Sequence, residues 1–272
     1  MNTVQLNNGI TMPQLGFGVW QVPDAEATPA VAEALAAGYR SIDTAAAYGN
    51  ESGVGAAIAQ SDVDRSDVFV TTKLWNDDHG YDSTLRAFDE SMRKLGLDVL
   101  DLYLIHWPRP ARGLYVDTWK AFVELQKEGR IRAIGVSNFQ PAHLRELIDE
   151  TGVVPAVNQV ELHPYLQQAE LRAFHAEHGI RTEAWSPLGQ GGELLGDPVV
   201  TEIAARHGRS AAQVVLRWHL QIGNIVIPKS VTPSRIRENI AVFDFELSGE
   251  ELAALSTLDR GGRIGPNPDT LN

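Results

Sequence analysis

The sequence predicts a single (β/α)8 barrel, and three observations carry that prediction. Eight short β-rich runs alternate with Ala- and Glu-rich helical stretches along the 272 residues. Each run is followed by at least one helical stretch, which favours a closed parallel barrel over an open doubly wound sheet. No Pro-, Ser- or Gly-rich linker divides the chain. Because one such barrel usually takes about 250 residues, we expect residues 1–272 to form one domain.

The chain opens with a predicted hairpin at residues 4–12, because apolar residues alternate on both sides of Asn8 and Gly9, a two-residue turn signal. The barrel strands are predicted at residues 15–19, 40–44, 68–74, 99–107, 131–138, 156–162, 181–186 and 225–229. Helices are predicted near residues 24–37, 52–59, 83–95, 116–127, 141–150, 168–178, 199–207 and 211–221. Two more begin at Pro233 and at Ser248, where a Glu three residues later completes a capping box. The Gly- and Pro-rich residues from about 260 to 272 are expected to form a C-terminal loop.

The composition excludes several classes of protein. The 23 Lys and Arg residues against 35 Asp and Glu residues give a net charge of −12, which argues against a nucleic-acid or anionic-membrane partner. With no Cys, the chain has no disulfide, Fe–S cluster or thiol nucleophile. There is no signal-peptide pattern and no apolar stretch near 18 residues, so we expect a soluble, cytoplasmic protein. The His residues form no HExxH pattern, and His175 and His178 are expected to be solvated, so no metal site is predicted.

Polar side chains end most of the predicted strands. In a (β/α)8 barrel the active site lies at the C-terminal ends of the strands, so these groups are expected to surround one mouth. The residues are Asp43, Lys73, His106, Ser137, Asn138, Gln159, Glu161, Ser186, Lys229 and Ser230. Each one alone is more readily explained as a structural or solvated group. Their recurrence at corresponding positions indicates a functional site.

Tyr48 lies in the loop after the second strand, five residues beyond Asp43. A free Tyr has a pKa of about 10, and a nearby ammonium lowers it. Lys73 can supply that charge, Asp43 can hold Lys73 ionised, and His106 can donate a hydrogen bond to a substrate oxygen. The set predicts a general acid that protonates a developing alkoxide. The alternative for Tyr48 is a pocket-wall aromatic residue without chemistry.

A second candidate site follows the eighth strand. Thr232 and Pro233 open a helix there, which leaves free backbone N–H groups suited to an anion. Lys229 and Arg235 add two positive charges in a strongly acidic chain, although both can also be ordinary surface cations. The usual dinucleotide fingerprint is absent, since the two Gly-x-Gly pairs at residues 16–18 and 53–55 lack the third glycine.

Three tryptophans, Trp20, Trp75 and Trp107, follow strand ends. We expect them to wall a substrate pocket with Tyr48 and His106 at its base; the alternative is core packing. An aromatic pocket excludes water and suits a small carbonyl compound. The C-terminal segment is expected to fold over this pocket as a specificity loop.

These residues lie in motifs that resemble those of the aldo-keto reductase family. Gly38–Ala45, followed by residues 48–51 and 54–55, resembles the first family signature, and residues 227–230 with Arg235, Glu238 and Asn239 resemble the C-terminal one. The other matching segments are residues 72–75, 104–108, 135–139 and 158–164. Trp20, Trp185 and residues 187–191 make the chain most similar to the prokaryotic 2,5-diketo-gluconate reductase-like members.

The resemblance implies a barrel whose floor is closed by the hairpin, and a catalytic tetrad of Asp43, Tyr48, Lys73 and His106 with Tyr48 as general acid. It also implies an extended NAD(P)H over the mouth that delivers hydride to a carbonyl carbon. The implied cofactor contacts are Ser137, Asn138 and Gln159 on the carboxamide, Trp185 on the nicotinamide ring, Ser186 and Leu188 on the pyrophosphate, Lys229, Ser230, Val231, Thr232 and Arg235 on the 2′-phosphate, and Glu238 and Asn239 on the adenine. Because Arg suits a monoester phosphate, NADPH is favoured over NADH.

We therefore expect an NADPH-dependent reductase that converts a small aldehyde or ketone to the alcohol. A keto-sugar acid, methylglyoxal or another small carbonyl compound fits equally well. One rival is a cofactor-binding regulatory or sensor protein of the same fold with little turnover. Another is a phosphate-binding barrel isomerase or lyase. A monomer is the family expectation.

Overall fold

The computed structural model describes residues 2–271 and begins with a hairpin. Strands β1 (Thr3–Gln5) and β2 (Thr11–Pro13) pair antiparallel. The pairing continues beyond them, because the Leu6 N–H donates to the Ile10 carbonyl at 2.8 Å. The loop therefore has three residues, and the two-residue turn predicted at Asn8 and Gly9 is wrong. Gly9 has φ +85°, the left-handed conformation that a three-residue hairpin loop requires at its last position.

An eight-stranded parallel sheet follows the hairpin. Its strands are β3 (Phe17–Gly18), β4 (Ser41–Asp43), β5 (Phe69–Leu74), β6 (Leu100–Ile105), β7 (Ile131–Ser137), β8 (Val157–Glu161), β9 (Arg181–Trp185) and β10 (Ile225–Val226). Parallel bridges from Leu15 to Val226 and from Gly18 to Lys229 join the first strand to the last. The sheet thus closes on itself, and the predicted (β/α)8 barrel is confirmed.

The last strand is shorter than predicted. The sequence predicts it over residues 225–229, but the regular ladder ends at Val226. Pro228 has no N–H to donate, so the ladder cannot continue through it. The chain nevertheless stays beside β3, since the Gly18 N–H donates to the Pro228 carbonyl at 3.1 Å. Lys229 and Ser230 therefore still leave the barrel at its C-terminal rim.

Helices surround the sheet. The first eight begin and end within two residues of their predicted positions, and the last two begin within one residue of theirs. They are α1 (Asp24–Ala36), α2 (Glu51–Gln60), α3 (Tyr81–Leu95), α4 (Tyr115–Lys127), α5 (Pro141–Thr151), α6 (Ala169–His178), α7 (Pro198–His207), α8 (Ala211–Gln221), α9 (Pro233–Ile240) and α10 (Gly249–Ser256). The capping box predicted at Ser248 is present, with Glu251 as its partner at 2.8 and 3.2 Å. Within residues 2–271, no helix has the length and apolar character needed to cross a membrane.

The hairpin closes the floor of the barrel, as expected. Buried Leu6 and Met12 pack in one cluster with Phe69, Leu102 and Ile225. Phe69 and Ile225 are the first residues of their strands, so the hairpin covers the N-terminal ends of the sheet. Helices cover the outer face, which is why β5 and β6 are buried along their whole length. The opposite, C-terminal rim remains for a site.

Candidate active site

The structure brings Asp43, Lys73 and Tyr48 together at the C-terminal rim. The fully buried Lys73 Nζ donates to Asp43 Oδ1 at 2.6 Å and to the Thr44 carbonyl at 2.8 Å. It also lies 3.3 Å from the Tyr48 hydroxyl and 4.9 Å from the centre of the Tyr48 ring. Asp43 ends β4 and Lys73 lies one residue before the end of β5, so the parallel pairing of these neighbouring strands creates the contact.

The loop after β4 returns Tyr48 to the rim. Residues 46–48 form one 3₁₀ turn, and Gly49 closes it with φ +67°, a left-handed conformation in which a side chain would be strained. The buried Asn50 then fixes the loop, because its Nδ2 donates to the carbonyls of Val19 and Val22 at 2.9 and 2.8 Å. Its Oδ1 accepts the Thr44 hydroxyl at 2.7 Å. Sequence reasoning missed this role for Asn50, which depends on a contact with the distant residues 19–22.

Electrostatics keep Lys73 charged and Tyr48 protonated. Burial disfavours the charged form of Lys73, but Asp43 and Tyr48 outweigh this effect and raise the pKa of Lys73 above its ordinary value. Burial also raises the pKa of Tyr48, and the attraction of Lys73 offsets only part of that shift. The net shift is opposite to the lowering expected from the sequence, because desolvation of the phenolate outweighs its attraction to the ammonium. In this arrangement Tyr48 is a protonated phenol.

His106 completes this group as a neutral imidazole. Its ring lies between Tyr48 and Trp75, with edge contacts at 5.7 and 5.4 Å between ring centroids. Burial and the positive charge of Lys73 hold the pKa of His106 well below its usual range. Nδ1 is buried and has no hydrogen-bond partner among residues 2–271. A neutral imidazole has one N–H to donate, so His106 can bind an oxygen beside Tyr48.

Gln159 connects this group to a buried carboxyl that the sequence did not predict. Its Nε2 donates to Asp43 Oδ2 at 2.8 Å and to Glu183 Oε2 at 2.9 Å. Burial, followed by repulsion from Asp43, raises the pKa of Glu183 to about 8. The sequence signal that could have identified Glu183 is its position in the middle of a predicted barrel strand. A charged residue there is informative because parallel strands are covered on both faces.

Asn138 organises the next part of the rim. Its backbone is left-handed, with φ +65°. Its Nδ2 donates to the His106 carbonyl at 2.9 Å and to Ser137 Oγ at 3.1 Å, while its Oδ1 accepts the Trp185 indole N–H at 2.8 Å. The Ser137 hydroxyl donates to the Gln159 carbonyl at 2.8 Å. The residues predicted to bind the carboxamide and the ring of nicotinamide are thus one connected network.

The predicted phosphate and adenine residues lie at the adjoining strand ends. Ser186 and Leu188 follow β9, and residues 229–232 follow β10, its neighbour in the sheet. Lys229, Thr232 and Arg235 are exposed, and Val231 is 48% exposed. Within residues 2–271 no ion pair involves Lys229 or Arg235, whereas Arg237 on the same helix pairs with Glu33 at 2.6 Å. On α9, Glu238 is half-buried and Asn239 is buried.

The three predicted pocket tryptophans differ in exposure. Trp20 is 42% exposed after β3, and Trp75 is half-buried with its edge against His106. Trp107 is only 8% exposed, so most of its ring packs inside the protein. Trp20 and Trp75 therefore present aromatic surface at the mouth, whereas the core-packing alternative describes most of Trp107.

The histidines of α6 correct one expectation. His175 is buried rather than solvated, because its ring nitrogens contact Asn158 Nδ2 at 2.9 Å and Thr182 Oγ1 at 2.8 Å between α6 and the sheet. Burial lowers the pKa of His175 to about 3. In the described part of the chain, no group of three or more His, Asp or Glu side chains is arranged to hold a metal ion.

The parallel barrel and the polar residues at its C-terminal rim together define the class of the protein. The model of the aldo/keto reductase family matches residues 12–260, and the chain belongs to that family. Family membership makes it an NAD(P)H-dependent oxidoreductase. The resemblance drawn from the dispersed motifs is thereby confirmed.

Individual relatives cover nearly the whole chain. An aldo-keto reductase of Mycobacterium sp. (strain KMS) is 62% identical over 269 residues, which cover 99% of this chain and 97% of the relative. Methylglyoxal reductase DkgA of Escherichia coli (strain K12) is 55% identical over 267 residues, or 98% of this chain and 96% of the relative. The solved structure of a Gox0644 mutant in complex with NADPH is 54% identical, with a TM-score of 0.96 over 100% of this chain and 98% of that chain.

Proposed function

We propose that the protein uses NADPH to reduce a small aldehyde or ketone to the alcohol, with Tyr48 as the general acid. One observation carries the proposal. The chain of contacts from Asp43 through Lys73 to Tyr48 places a protonated phenol beside a neutral imidazole at the barrel mouth. Such a pair can bind the carbonyl oxygen with two donors and give it a proton.

The residues at the rim fit NADPH. Lys229 and Arg235 are exposed cations without an ion-pair partner within residues 2–271, and they flank the N-terminus of α9. Both features suit a phosphate monoester. Ser137, Asn138 and Gln159 would hold the carboxamide and Trp185 the ring, while Glu238 and Asn239 would meet the adenine. The NADPH complex of the Gox0644 mutant supports this choice.

The mechanism assigns each member of the tetrad one task. Bound NADPH supplies a hydride to the carbonyl carbon. Negative charge then develops on the oxygen, where the His106 N–H and the Tyr48 hydroxyl stabilise it. An alkoxide is basic enough to take the Tyr48 proton despite the raised pKa of the phenol. Lys73, held charged by Asp43, stabilises the phenolate that remains.

Trp20 and Trp75 support a small substrate. Trp75 contacts His106 and Trp20 follows β3 at the same rim, so both rings would narrow the approach to Tyr48 and limit the access of water. The methylglyoxal reductase name of the Escherichia coli relative favours a short dicarbonyl compound as the first substrate to test. The single-domain organisation, the monomeric state and the cytoplasmic location expected from the sequence remain predictions.

The test is a Tyr48→Phe variant assayed by NADPH absorbance with methylglyoxal and a panel of aldehydes and keto acids. Removing the proton donor is expected to lower kcat about 100-fold or more, with the Kd for NADPH nearly unchanged. Tyr81→Phe, at an exposed position on α3, is the matched control. A Tyr48→Phe variant with near-normal kcat overturns the role of Tyr48. A wild-type protein that binds NADPH but reduces no carbonyl compound favours the sensor alternative.

A further inference from the structure

Glu161, the last residue of β8, is an unusual carboxylate. Its side chain is completely buried, yet it accepts two backbone N–H groups from the C-terminal segment. The Ile264 N–H donates to Oε1 at 2.6 Å and the Gly265 N–H donates to Oε2 at 2.8 Å. His163 Nε2 lies 3.1 Å from Oε1, and Arg263 Nη1 lies 3.9 Å from Oε2. The barrel strand and the C-terminal segment, more than 100 residues apart, therefore meet at one carboxylate.

These contacts favour the charged form. Burial opposes ionisation of Glu161, but the hydrogen bonds from His163, Ile264 and Gly265 outweigh it and lower its pKa. Hydrogen bonds to an ionised acceptor are about twice as strong as neutral ones. The Glu161 carboxylate is thus a strong anchor for the segment.

The anchored segment rests directly on Trp185. A Cβ atom at Gly265 would lie 2.5 Å from Trp185 Cη2 and 3.0 Å from Glu161 Oε2. Any side chain at this position would force the segment and the indole apart. The other end of the indole is fixed by Asn138, which accepts its N–H. Trp185 is therefore held between Asn138 and the segment that Glu161 anchors.

The earlier part of the segment is attached to Tyr165. The N–H groups of Arg260 and Gly262 donate to the Tyr165 carbonyl at 3.2 and 2.8 Å, and the Arg260 guanidinium lies 3.7 Å from the ring centre. Arg260 also pairs with Glu193 at 3.0 Å, but both side chains are largely exposed. Exposed ion pairs contribute little, about 0–1 kcal/mol. The buried Glu161 carboxylate therefore holds the segment more strongly than the exposed Glu193 carboxylate does.

We propose that Glu161 is a positioning residue that holds residues 260–265 against Trp185 and thereby shapes the face on which cofactor and substrate bind. This inference rests on the proposed function, in which Trp185 contacts the nicotinamide ring. Glu161 touches no reacting atom, so its loss acts on binding more than on the chemical step. When the carboxylate is removed, the segment separates from Trp185 and one wall of the mouth is lost.

The main variant is Glu161→Gln, which keeps the shape but replaces one acceptor oxygen with an NH2 group. One of the two backbone N–H groups then loses its acceptor. The Kd for NADPH and the KM for the carbonyl substrate should each rise roughly tenfold, the equivalent of about 1.4 kcal/mol, while kcat changes less than about threefold. Glu193→Gln, which removes only the exposed pair with Arg260, is the matched control and should leave all three near wild type.

A readout without turnover keeps this test separate from the proposed function. Trypsin cleaves after Arg263, directly before the Ile264 N–H that Glu161 holds, and cleavage there should accelerate in Glu161→Gln but not in Glu193→Gln. This outcome is meaningful even if the wild-type protein reduces no carbonyl compound. Equal trypsin resistance of Glu161→Gln and wild type overturns the proposal.

Two further variants cover the case in which Glu161→Gln fails to fold. Gly265→Ala leaves the carboxylate in place and pushes the segment off Trp185, so it should raise Kd and KM in the same way. A chain ending at Arg263 lacks both anchored N–H groups and should behave likewise. In the chain that ends at Arg263, Glu161→Gln should have no further effect on Kd or KM. A full additive effect in the truncated chain, or a Gly265→Ala variant with wild-type Kd and KM, overturns the proposal.

Discussion

The buried Glu183 makes the stability of the protein depend on pH in a direction that can be measured. Oε2 accepts a hydrogen bond from Gln159, which also donates to Asp43, while Oε1 has no partner among residues 2–271. Burial and Asp43 raise the pKa of Glu183 from 4.5 to about 8. The folded protein therefore keeps this proton at pH values where the unfolded chain has released it. Each rise in pH through that range favours the unfolded chain.

The magnitude follows from these two values. With 4.5 in the unfolded chain and about 8 in the folded protein, Glu183 lowers the free energy of unfolding by about 3 kcal/mol at pH 7 relative to acid. By pH 9 the loss reaches about 5 kcal/mol. Glu183→Gln is a neutral mimic of the protonated acid and has no proton to release. Measured from the difference in acid, we expect the variant to exceed wild type in unfolding free energy by about 1 kcal/mol at pH 5 and by increasingly more up to about pH 8.

The assay is equilibrium urea unfolding of both proteins between pH 5 and pH 9, followed by tryptophan fluorescence. The difference in unfolding free energy between variant and wild type isolates Glu183 from other titrating groups. Glu177→Gln, an exposed change on α6, is the control and should follow wild type at every pH. A constant difference between Glu183→Gln and wild type across this range would falsify the reasoning.

Two further substitutions test the rim. Asn50→Ala leaves the buried Val19 and Val22 carbonyls and the Thr44 hydroxyl without their partner, so it should cost about 3 kcal/mol in urea unfolding and lower kcat as Tyr48 loses its position. A variant of unchanged stability contradicts this role. The control is Asn8→Ala, which removes only exposed hydrogen bonds and should cost much less. Arg235→Ala should raise the Kd for NADPH about tenfold in fluorescence titrations while leaving NADH binding almost unchanged. Arg237→Ala, which breaks only the pair with Glu33, is the control, and equal losses for both cofactors would refute the phosphate contact.

Much of the barrel and of its site could be predicted because both follow from local pattern. Parallel strands covered on both faces are apolar along their length, so a polar residue at a strand end such as Asp43 or Lys73 stands out. Once the strands are in barrel order, their ends meet at one rim. The proximity of the predicted tetrad and the predicted nicotinamide contacts could therefore be expected without any information on tertiary structure.

What could not be predicted depends on contacts between distant parts of the chain. The role of Asn50 comes from the carbonyls of residues 19–22, and that of Glu161 from residues 264–265. His175 reads as a solvated helix residue until Asn158 and Thr182 cover it. The direction of the Tyr48 pKa shift is set by burial, which competes with the charge of Lys73. The extent of burial cannot be determined from the spacing of residues along the sequence.

The closed floor has a consequence for how the proposed general acid would regain its proton. Within residues 2–271, buried Leu6 and Met12 cover the N-terminal end of the barrel with apolar side chains, and Lys73 is fully buried. In the proposed mechanism, Tyr48, half-buried at the opposite end, would be reprotonated from the mouth, the side on which the alcohol departs. Proton uptake and product release would then share one opening.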